Sequence, residues 1–190
     1  MKEIETPRLI LRAPRESDAN DLFSYAQSPT VGPSAGWLPH SSVEESLNVI
    51  RDYIRKGNVY FLEHKITHQM IGSVSLHSPS HRCLPDGLAV QLGYALSEDY
   101  HGQGLMPEAL SFLIDYIFSS TRVEIIEVTH LEHNYKSKRV IEKLGFTYEG
   151  TIRHSHIRLD TPEYANALVY SMTKEEYLSI KEVRKEKENI

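Results

Sequence analysis

Disulfide bonds and membrane spans are the first features that this sequence excludes. It has one cysteine among 190 residues, Cys83, and a single cysteine cannot form a disulfide within the chain. A lone cysteine is also typical of a reducing compartment, which predicts a cytoplasmic protein. No apolar run approaches the length of a membrane span, and the segment Met1–Ile4 does not begin a signal peptide. We therefore expect no membrane partner.

An excess of positive charge is absent as well. Lys and Arg together number 21 against 26 Asp and Glu, which gives a net charge of −5 at pH 7. This balance argues against a nucleic-acid partner and is compatible with a cationic substrate. The chain has 10 histidines, but no cysteine or glutamate accompanies them in a ligand pattern, so we predict no metal site. Eight of these histidines lie close together in sequence, as the pairs His64/His68, His77/His81, His130/His133 and His154/His156.

The length and the order of segments predict one α+β domain. A chain of 190 residues with 40% hydrophobic and 25% charged residues is typical of a single globular domain. The hydrophobic patterns predict the order β-α-α-β-β-β-α-β-α-β-β. One strand feeds a helix and returns to a neighbouring strand, which implies one parallel pair in an otherwise antiparallel sheet. The predicted strands are 7–12, 59–65, 70–76, 88–96, 124–129, 148–159 and 167–172; the helices begin near Ser17, Ser42, Met106, Asn134 and Thr173; a turn at Asp160–Pro162 joins the last two strands.

The stretch Leu88–Phe118 predicts a strand, a glycine loop and a helix in direct succession. Alternating apolar residues give way to helical spacing from Met106, with Pro107 expected at the first helical position. Gly102 and Gly104 lie just before it, where unshielded backbone N–H groups of a helix start can bind a phosphate. Pro107 stands where a dinucleotide-binding fingerprint needs its third small residue, and the Gly-Lys-Ser/Thr of a P-loop is absent. A tight turn without a ligand is the alternative.

The segment 101–109, His-Gly-Gln-Gly-Leu-Met-Pro-Glu-Ala, resembles the acetyl-CoA-binding motif of the GNAT superfamily of N-acetyltransferases. That motif reads Gln/Arg-x-x-Gly-x-Gly/Ala, and the segment is most similar to the branch of ribosomal-protein N-terminal acetyltransferases. The sequence departs from the motif at His101 and Met106. The resemblance runs from Thr6 to Met172, and it implies a domain at 1–177 followed by a charged C-terminal helix end at 178–190.

Membership of this family would imply a splayed pair of parallel strands with helices on both faces of the sheet. It would also imply acetyl-CoA as co-substrate, bound by the exposed main chain of the central strand and by the glycine loop. Gly93 lies in the middle of that strand, where a glycine often marks a bulge. The resemblance implies cofactor contacts from Leu92, Gly93, Tyr94, His101, Gly102, Gln103, Gly104, Leu105, Met106, Asn134 and Ser137.

The same resemblance implies Ser137 as the group that assists the leaving thiolate. Other members use a tyrosine four residues further on, where this chain has Ile141. A hydroxyl is a weak acid, so we expect hydrogen bonding to the developing thiolate rather than full protonation. Helix capping is the alternative role for Ser137 and for Asn134, since a predicted helix starts there.

The proton acceptor is the weakest part of the pattern. Many members place a glutamate where this chain has Gln91, and an amide cannot usefully accept a proton near neutral pH. Another position used in this branch is His156, and the ordinary pKa of histidine suits proton removal near pH 7. Deprotonation through water is the alternative.

These expectations define an N-acetyltransferase that acts on a primary amine. A protein N-terminal α-amine, such as that of a ribosomal protein, is one class of acceptor; polyamines, aminoglycosides and amino acids are another. A non-catalytic acetyl-CoA-binding module is the alternative that Gln91 suggests. Trp37, in a predicted loop at 28–40, is a candidate wall of the acceptor pocket or a lid over the core. A homodimer is compatible with the resemblance.

Overall fold

The computed structural model describes residues 1–79, 82–159, 161 and 163–188, of which the side chains are described through residue 183. Over these ranges the chain forms one eight-stranded sheet in the order β1-β2-β3-β4-β5-β6-β8-β7. The strands are β1 (Ile4–Glu5), β2 (Leu9–Arg12), β3 (Val59–His64), β4 (Met70–His77), β5 (Ala89–Leu96), β6 (Ile125–Leu131), β7 (Thr147–Ile157) and β8 (Tyr164–Thr173). The helices are α1 (Ala19–Ala26), α2 (Val31–Ala35), α3 (Val43–Lys56), α4 (Leu105–Ser120), α5 (Tyr135–Leu144) and α6 (Lys174–Glu188).

The strands β5 and β6 form the parallel pair that the sequence predicts. Their pairing runs from Ala89 opposite Ile125 to Leu92 opposite Val128, and it ends there. Beyond this point β5 continues on β4 alone, and β6 continues on β8 alone. The two strands therefore separate after Leu92 and Val128, and we call the gap between them the opening. The α+β class and the splayed pair are both confirmed.

Helices cover both faces of the sheet, and side chains alternate between them. The face of α4 and α5 holds the larger core, to which β5 contributes Leu92 and Leu96. The face of α1 and α3 holds a smaller core, to which β5 contributes Ala95. Even-numbered residues of β5 thus point toward α4, and odd-numbered residues point toward α1 and α3.

A buried ion pair fastens the start of α1 to the sheet. The guanidinium of Arg12 donates hydrogen bonds of 2.9 and 2.8 Å to the carboxylate of Asp18 and a further one to Glu63. Arg12 and Asp18 are 4% and 5% exposed. Because both charges are removed from water, each needs the other as its partner.

Three predictions of local structure differ from the structure: the starts of α4 and α1, and a loop that contains a short helix. The helix α4 begins at Leu105, so Pro107 is its third residue; the N–H that proline lacks would be unpaired there too. Asp18, not Ser17, precedes α1, because residues 16–18 form a short 3-10 turn. The predicted loop at 28–40 contains the five-residue helix α2, which ends at Gly36 with a φ of +92°.

Some predictions fall outside the described residues. His81, Asp160 and Pro162 lie there, as do the last two residues of the charged segment 178–190. The predicted boundary at residue 177 stays a prediction. Among the described helices, none combines the length and the apolar character needed to cross a membrane.

Candidate active site

The glycine loop forms a start of α4 with unpaired backbone donors. Gly102 and Gly104 have φ angles of +75° and +76°, a backbone conformation that residues other than glycine rarely adopt. The first backbone donor of the helix with an acceptor is Glu108, which donates to the carbonyl oxygen of Gly104 at 3.1 Å. Within the described ranges, the N–H groups of Gly104, Leu105 and Met106 have no acceptor. They are available to an anion, and the positive end of the helix dipole favours it.

The connection between β1 and β2 holds this loop in place. Arg8 donates from Nη1 to the carbonyl oxygen of Gln103 at 3.0 Å and from Nε to the Glu108 carboxylate at 2.7 Å. The Thr6 hydroxyl donates to the same carboxylate at 2.6 Å. Partial burial alone would raise the pKa of Glu108, but these hydrogen bonds and the charge of Arg8 lower it below its ordinary value. The ionised carboxylate thereby holds the loop against the amino-terminal segment.

His101 joins the loop to the first turn of α5. Its Nε2 donates to the carbonyl oxygen of Leu96 at 3.0 Å, which leaves Nδ1 as an acceptor. The ammonium of Lys136 lies 3.3 Å from that Nδ1. The ring thus holds a cation at the start of the glycine loop, although the chain lacks the arginine that the motif offers here.

The central strand reaches the opening without a bulge. The register of β5 on β4 is continuous through Gly93, so the bulge predicted from this glycine is wrong. The glycine instead makes room for a side chain, since a Cβ at this position would lie 2.8 Å from the Ser75 hydroxyl oxygen. That hydroxyl donates to the Gly93 carbonyl oxygen at 3.3 Å. Leu92 is buried, while Gly93 and Tyr94 stay partly exposed.

Ser137 lies beside the opening and is bonded to Tyr94. The two hydroxyl oxygens are 2.8 Å apart, and the Tyr94 hydroxyl also lies 3.3 Å from the Ser137 carbonyl oxygen. Burial raises the pKa of Tyr94 to about 12. Asn134 caps α5 by accepting a hydrogen bond from the Ser137 N–H at 3.0 Å, and it donates to the carbonyl oxygen of Ser34 in α2 at 3.1 Å. Asn134 therefore caps α5, while the Ser137 hydroxyl lies beside the opening.

The other two predicted residues lie further away. His156 is exposed on β7, the last strand of the sheet, and β8 separates it from β6. Trp37 is half-buried, with its indole nitrogen buried and without a partner among the described residues. It lines a cavity of about 90 Å³ together with Tyr25 and Ser73, on the face of α1 and α3.

A polar row that the sequence does not predict crosses the sheet at the vertex of the opening. His77 of β4 is paired with Gln91 of β5, Gln91 with Glu127 of β6, and Glu127 with Ser171 of β8. Arg82 donates to the fully buried Glu127 at 2.8 Å. Alternation along each strand indicates which face a residue takes, but only the register between strands brings these four together.

Metal-ligating side chains do not gather in this region. Across residues 1–79, 82–159, 161 and 163–188, no three His, Cys, Asp or Glu side chains form a group that could hold a metal ion. Cys83 is exposed and lies outside the row described above.

Comparisons with known proteins agree with this geometry. A family model described as an acetyltransferase (GNAT) domain matches residues 8–147. The N-acetyltransferase YoaA of Bacillus subtilis is 27% identical over 178 residues, covering 90% of this chain and 96% of YoaA. The ribosomal protein uS5-alanine N-acetyltransferase of Escherichia coli is 25% identical over 161 residues, covering 77% of this chain and 79% of the enzyme.

A solved structure shows the same fold at low identity. RimL, a ribosomal α-N-protein acetyltransferase in complex with coenzyme A, superposes with a TM-score of 0.77 and 22% identity. The match covers 90% of this chain and 98% of RimL.

Proposed function

The chain belongs to the acetyltransferase (GNAT) family, whose members are acetyl-CoA-dependent N-acetyltransferases, and on that basis we propose that it acetylates the α-amine of a protein N-terminus. The matched residues 8–147 include the glycine loop, the opening and Ser137. A ribosomal-protein N-terminus is the acceptor that the relative from Escherichia coli suggests. The bacterial relatives and the lone cysteine support a cytoplasmic protein, and a homodimer stays a prediction.

One observation carries the proposal: β5, which borders the opening, is followed along the chain by the glycine loop and the unpaired donors of α4. In this assignment, the pyrophosphate of acetyl-CoA lies on the N–H groups of Gly104, Leu105 and Met106. The pantetheine arm lies in the opening against the exposed main chain of β5. The full set of proposed contacts is Leu92, Gly93, Tyr94, His101, Gly102, Gln103, Gly104, Leu105, Met106, Asn134 and Ser137.

In the proposed reaction, Ser137 supplies a hydrogen-bond donor to the leaving sulfur. A main-chain N–H of β5 polarises the thioester carbonyl, and the amine attacks its carbon. Ser137 donates to the sulfur as the C–S bond breaks, and Tyr94 supports that hydroxyl at 2.8 Å. Trp37 forms part of the acceptor wall, and His156 stays the prediction from sequence for the proton acceptor.

A non-catalytic acetyl-CoA-binding module is the second candidate, and Gln91 favours it because an amide cannot act as a base. Turnover separates the two. Thiol release from acetyl-CoA is measured with a panel of ribosomal N-terminal peptides, basic peptides, polyamines and aminoglycosides. Acetylation of a peptide α-amine supports the proposal. Turnover of polyamines or aminoglycosides alone would mean that the acceptor is a small molecule and not a peptide α-amine. CoA binding without turnover of any amine would favour the non-catalytic module.

A further inference from the structure

The polar row at the vertex of the opening lies on one face of the sheet. His77, Gln91 and Glu127 all alternate with residues of the α4 core, so they face α1 and α3. Tyr94 and Ser137 lie on the opposite face. A thioester at the vertex would therefore have its sulfur near the two hydroxyls and its other side toward the row.

The amide of Gln91 is held in one orientation. Its Nε2 lies 3.0 Å from the carboxylate of Glu127 and 3.4 Å from the hydroxyl of Thr129. A carboxylate only accepts hydrogen bonds, so the nitrogen of Gln91 must face it. Arg82 holds the other oxygen of Glu127 at 2.8 Å, so that carboxylate cannot turn away. The Oε1 of Gln91 is consequently left as an acceptor with no partner among the described residues.

The ring of His77 is held beside it by a second chain of hydrogen bonds. Its Nε2 lies 2.8 Å from the Ser75 hydroxyl, which donates to the Gly93 carbonyl oxygen. Since the serine proton is used there, His77 donates from Nε2 and keeps its lone pair on Nδ1. Gly93 leaves room for these two groups, because a Cβ at this position would lie 2.8 Å from the Ser75 hydroxyl oxygen and 3.9 Å from Nε2 of His77.

The surroundings of His77 favour the neutral form of its ring. Partial burial and the ammonium of Lys56, at the end of α3, hold the pKa of His77 below its ordinary value. The only carboxylate in the row, Glu127, is separated from His77 by Gln91 and is paired with Arg82. A neutral imidazole can accept a proton at neutral pH, which an imidazolium cannot.

We propose that His77 and Gln91 form the site of the acceptor amine, with His77 as the proton acceptor and Gln91 Oε1 as the hydrogen-bond acceptor for an N–H. Glu127 is a positioning residue that acts through Gln91. The inference rests on the proposed acetyl transfer. It assigns the role that a glutamate has in many family members, where this chain has Gln91. It replaces His156 as the base.

The proton balance is as follows. An ammonium that enters the site gives one proton to Nδ1 of His77, an exposed residue that passes the proton on to water. The neutral nitrogen forms the C–N bond with the thioester carbon, and the C–S bond breaks. The second proton of the nitrogen goes to the thiolate, whose hydrogen bond comes from Ser137. The sum is the amide, CoA thiol and one proton.

The test compares His77→Gln with His156→Gln, and uses His64→Gln, on the outer part of β3, as the matched control. We expect His77→Gln to lower kcat/KM at pH 7 by on the order of 100-fold, typical of a lost general base. The wild-type limb that rises with pH should lie below the ordinary histidine value of 6.5, and His77→Gln should remove it. Loss of this limb in His156→Gln, with His77→Gln unchanged, would overturn the proposal.

The second arm separates orientation from stability. Gln91→Leu should raise KM for the amine by about tenfold or more, equal to about 1.4 kcal/mol, and leave KM for acetyl-CoA unchanged. Glu127→Gln should raise KM for the amine by a smaller factor, because the side-chain amide of Gln91 can then rotate and exchange the positions of its nitrogen and oxygen. The exchange of both, Gln91→Glu with Glu127→Gln, keeps one carboxylate and one amide in contact and should recover the amine KM. A shift of both KM values together with the melting temperature would mean a purely structural role and would refute the assignment.

A binding measurement keeps the two proposals distinguishable. If no amine is acetylated, the proposed function fails, and the ring signals of His77 decide the present inference. With CoA bound, addition of peptide amine or spermidine should shift these signals in the wild type and not in Gln91→Leu. Unchanged His77 signals on saturation with both amines would refute the amine site.

Discussion

The hydroxyls of Tyr94 and Ser137 lie 2.8 Å apart across the opening, although 43 residues of sequence separate them. One belongs to β5 and the other to the first turn of α5, so their contact spans the place where the two parallel strands separate. A serine alone is a poor acid. The contact with the Tyr94 hydroxyl holds the serine oxygen in place at the opening.

This contact predicts how the two hydroxyls divide the work. Ser137→Ala and Tyr94→Phe should each lower kcat with little change in KM for acetyl-CoA, because the loss falls in the transition state. The double variant should cost no more than Ser137→Ala alone, since the two groups act as one unit. A normal kcat in Ser137→Ala would show that this hydroxyl takes no part in the reaction; the Asn134 cap, which accepts from the backbone N–H of residue 137, is kept in that variant.

The glycine loop predicts a selective loss of CoA binding. Gly104→Val should weaken CoA binding more than tenfold, or about 1.4 kcal/mol, because a side chain at this φ displaces the unpaired donors. Gly57→Val is the matched control, since Gly57 also has a positive φ, +63°, and ends α3 far from the loop. Calorimetry on both variants should show normal CoA affinity only in the control. Equal affinity in both would rule out the loop as the phosphate site.

The buried ion pair predicts a large difference between two acidic residues of one short turn. Asp18→Ala should cost about 3–5 kcal/mol, because it leaves the Arg12 guanidinium buried with only Glu63. Glu16→Ala removes the partner of Arg51, a pair whose side chains are 56% and 50% exposed, and should cost little. Urea unfolding of both variants measures the difference. Similar midpoints would contradict the role given to the buried pair.

Glu63 predicts a pH dependence of stability. Burial raises its pKa, but the hydrogen bond and charge of Arg12 outweigh this and lower it below the ordinary 4.5. A carboxyl group whose pKa is lower in the folded protein stabilises the fold. This contribution is complete at pH values above the pKa of the unfolded state, and it is lost as the pH falls through the pKa of the folded state. The stability difference between wild type and Glu63→Gln should therefore be constant above pH 4.5 and shrink below it. Unfolding titrations at pH 7, 5, 4 and 3 measure it, and a difference that grows toward acid would contradict the sign.

Trp37 predicts a change confined to the acceptor. Its indole packs on Gly32, where a Cβ would lie 2.9 Å from the indole nitrogen. Trp37→Phe removes the unpartnered N–H and keeps most of the packing, so KM for the amine should rise while KM for acetyl-CoA stays constant. A lower melting temperature with unchanged KM values would make Trp37 a lid over the α1 and α3 core.

Local chemistry explains why much of the architecture could be predicted from the sequence. The box Thr173-x-x-Glu176 predicts the start of α6, and both reciprocal hydrogen bonds form, at 2.8 and 3.2 Å. Ser42 likewise caps α3 by accepting from the N–H of Glu45. Such signals lie within four residues of one another, so a single sequence carries them completely.

Features that depend on distant residues could not be predicted in this way. The bulge expected at Gly93 is replaced by a close approach of Ser75, which belongs to another strand. The pairing of His77 with Gln91 depends on the register of β4 against β5, and a shift of one residue would turn His77 to the other face. The sequence therefore points to His156 as the base, because its position relative to a motif can be counted along the chain.

The brace from Thr6 and Arg8 to Glu108 has a consequence for the order of assembly. These contacts join residues about 100 positions apart, so the loss of chain entropy on closing this loop precedes any gain from them. We expect the amino-terminal segment to dock late in folding and to detach early in unfolding. A ligand on the glycine loop would favour the docked state, so bound CoA should slow amide hydrogen exchange at residues 6–12, which comprise the connection bonded to Glu108 and the strand β2.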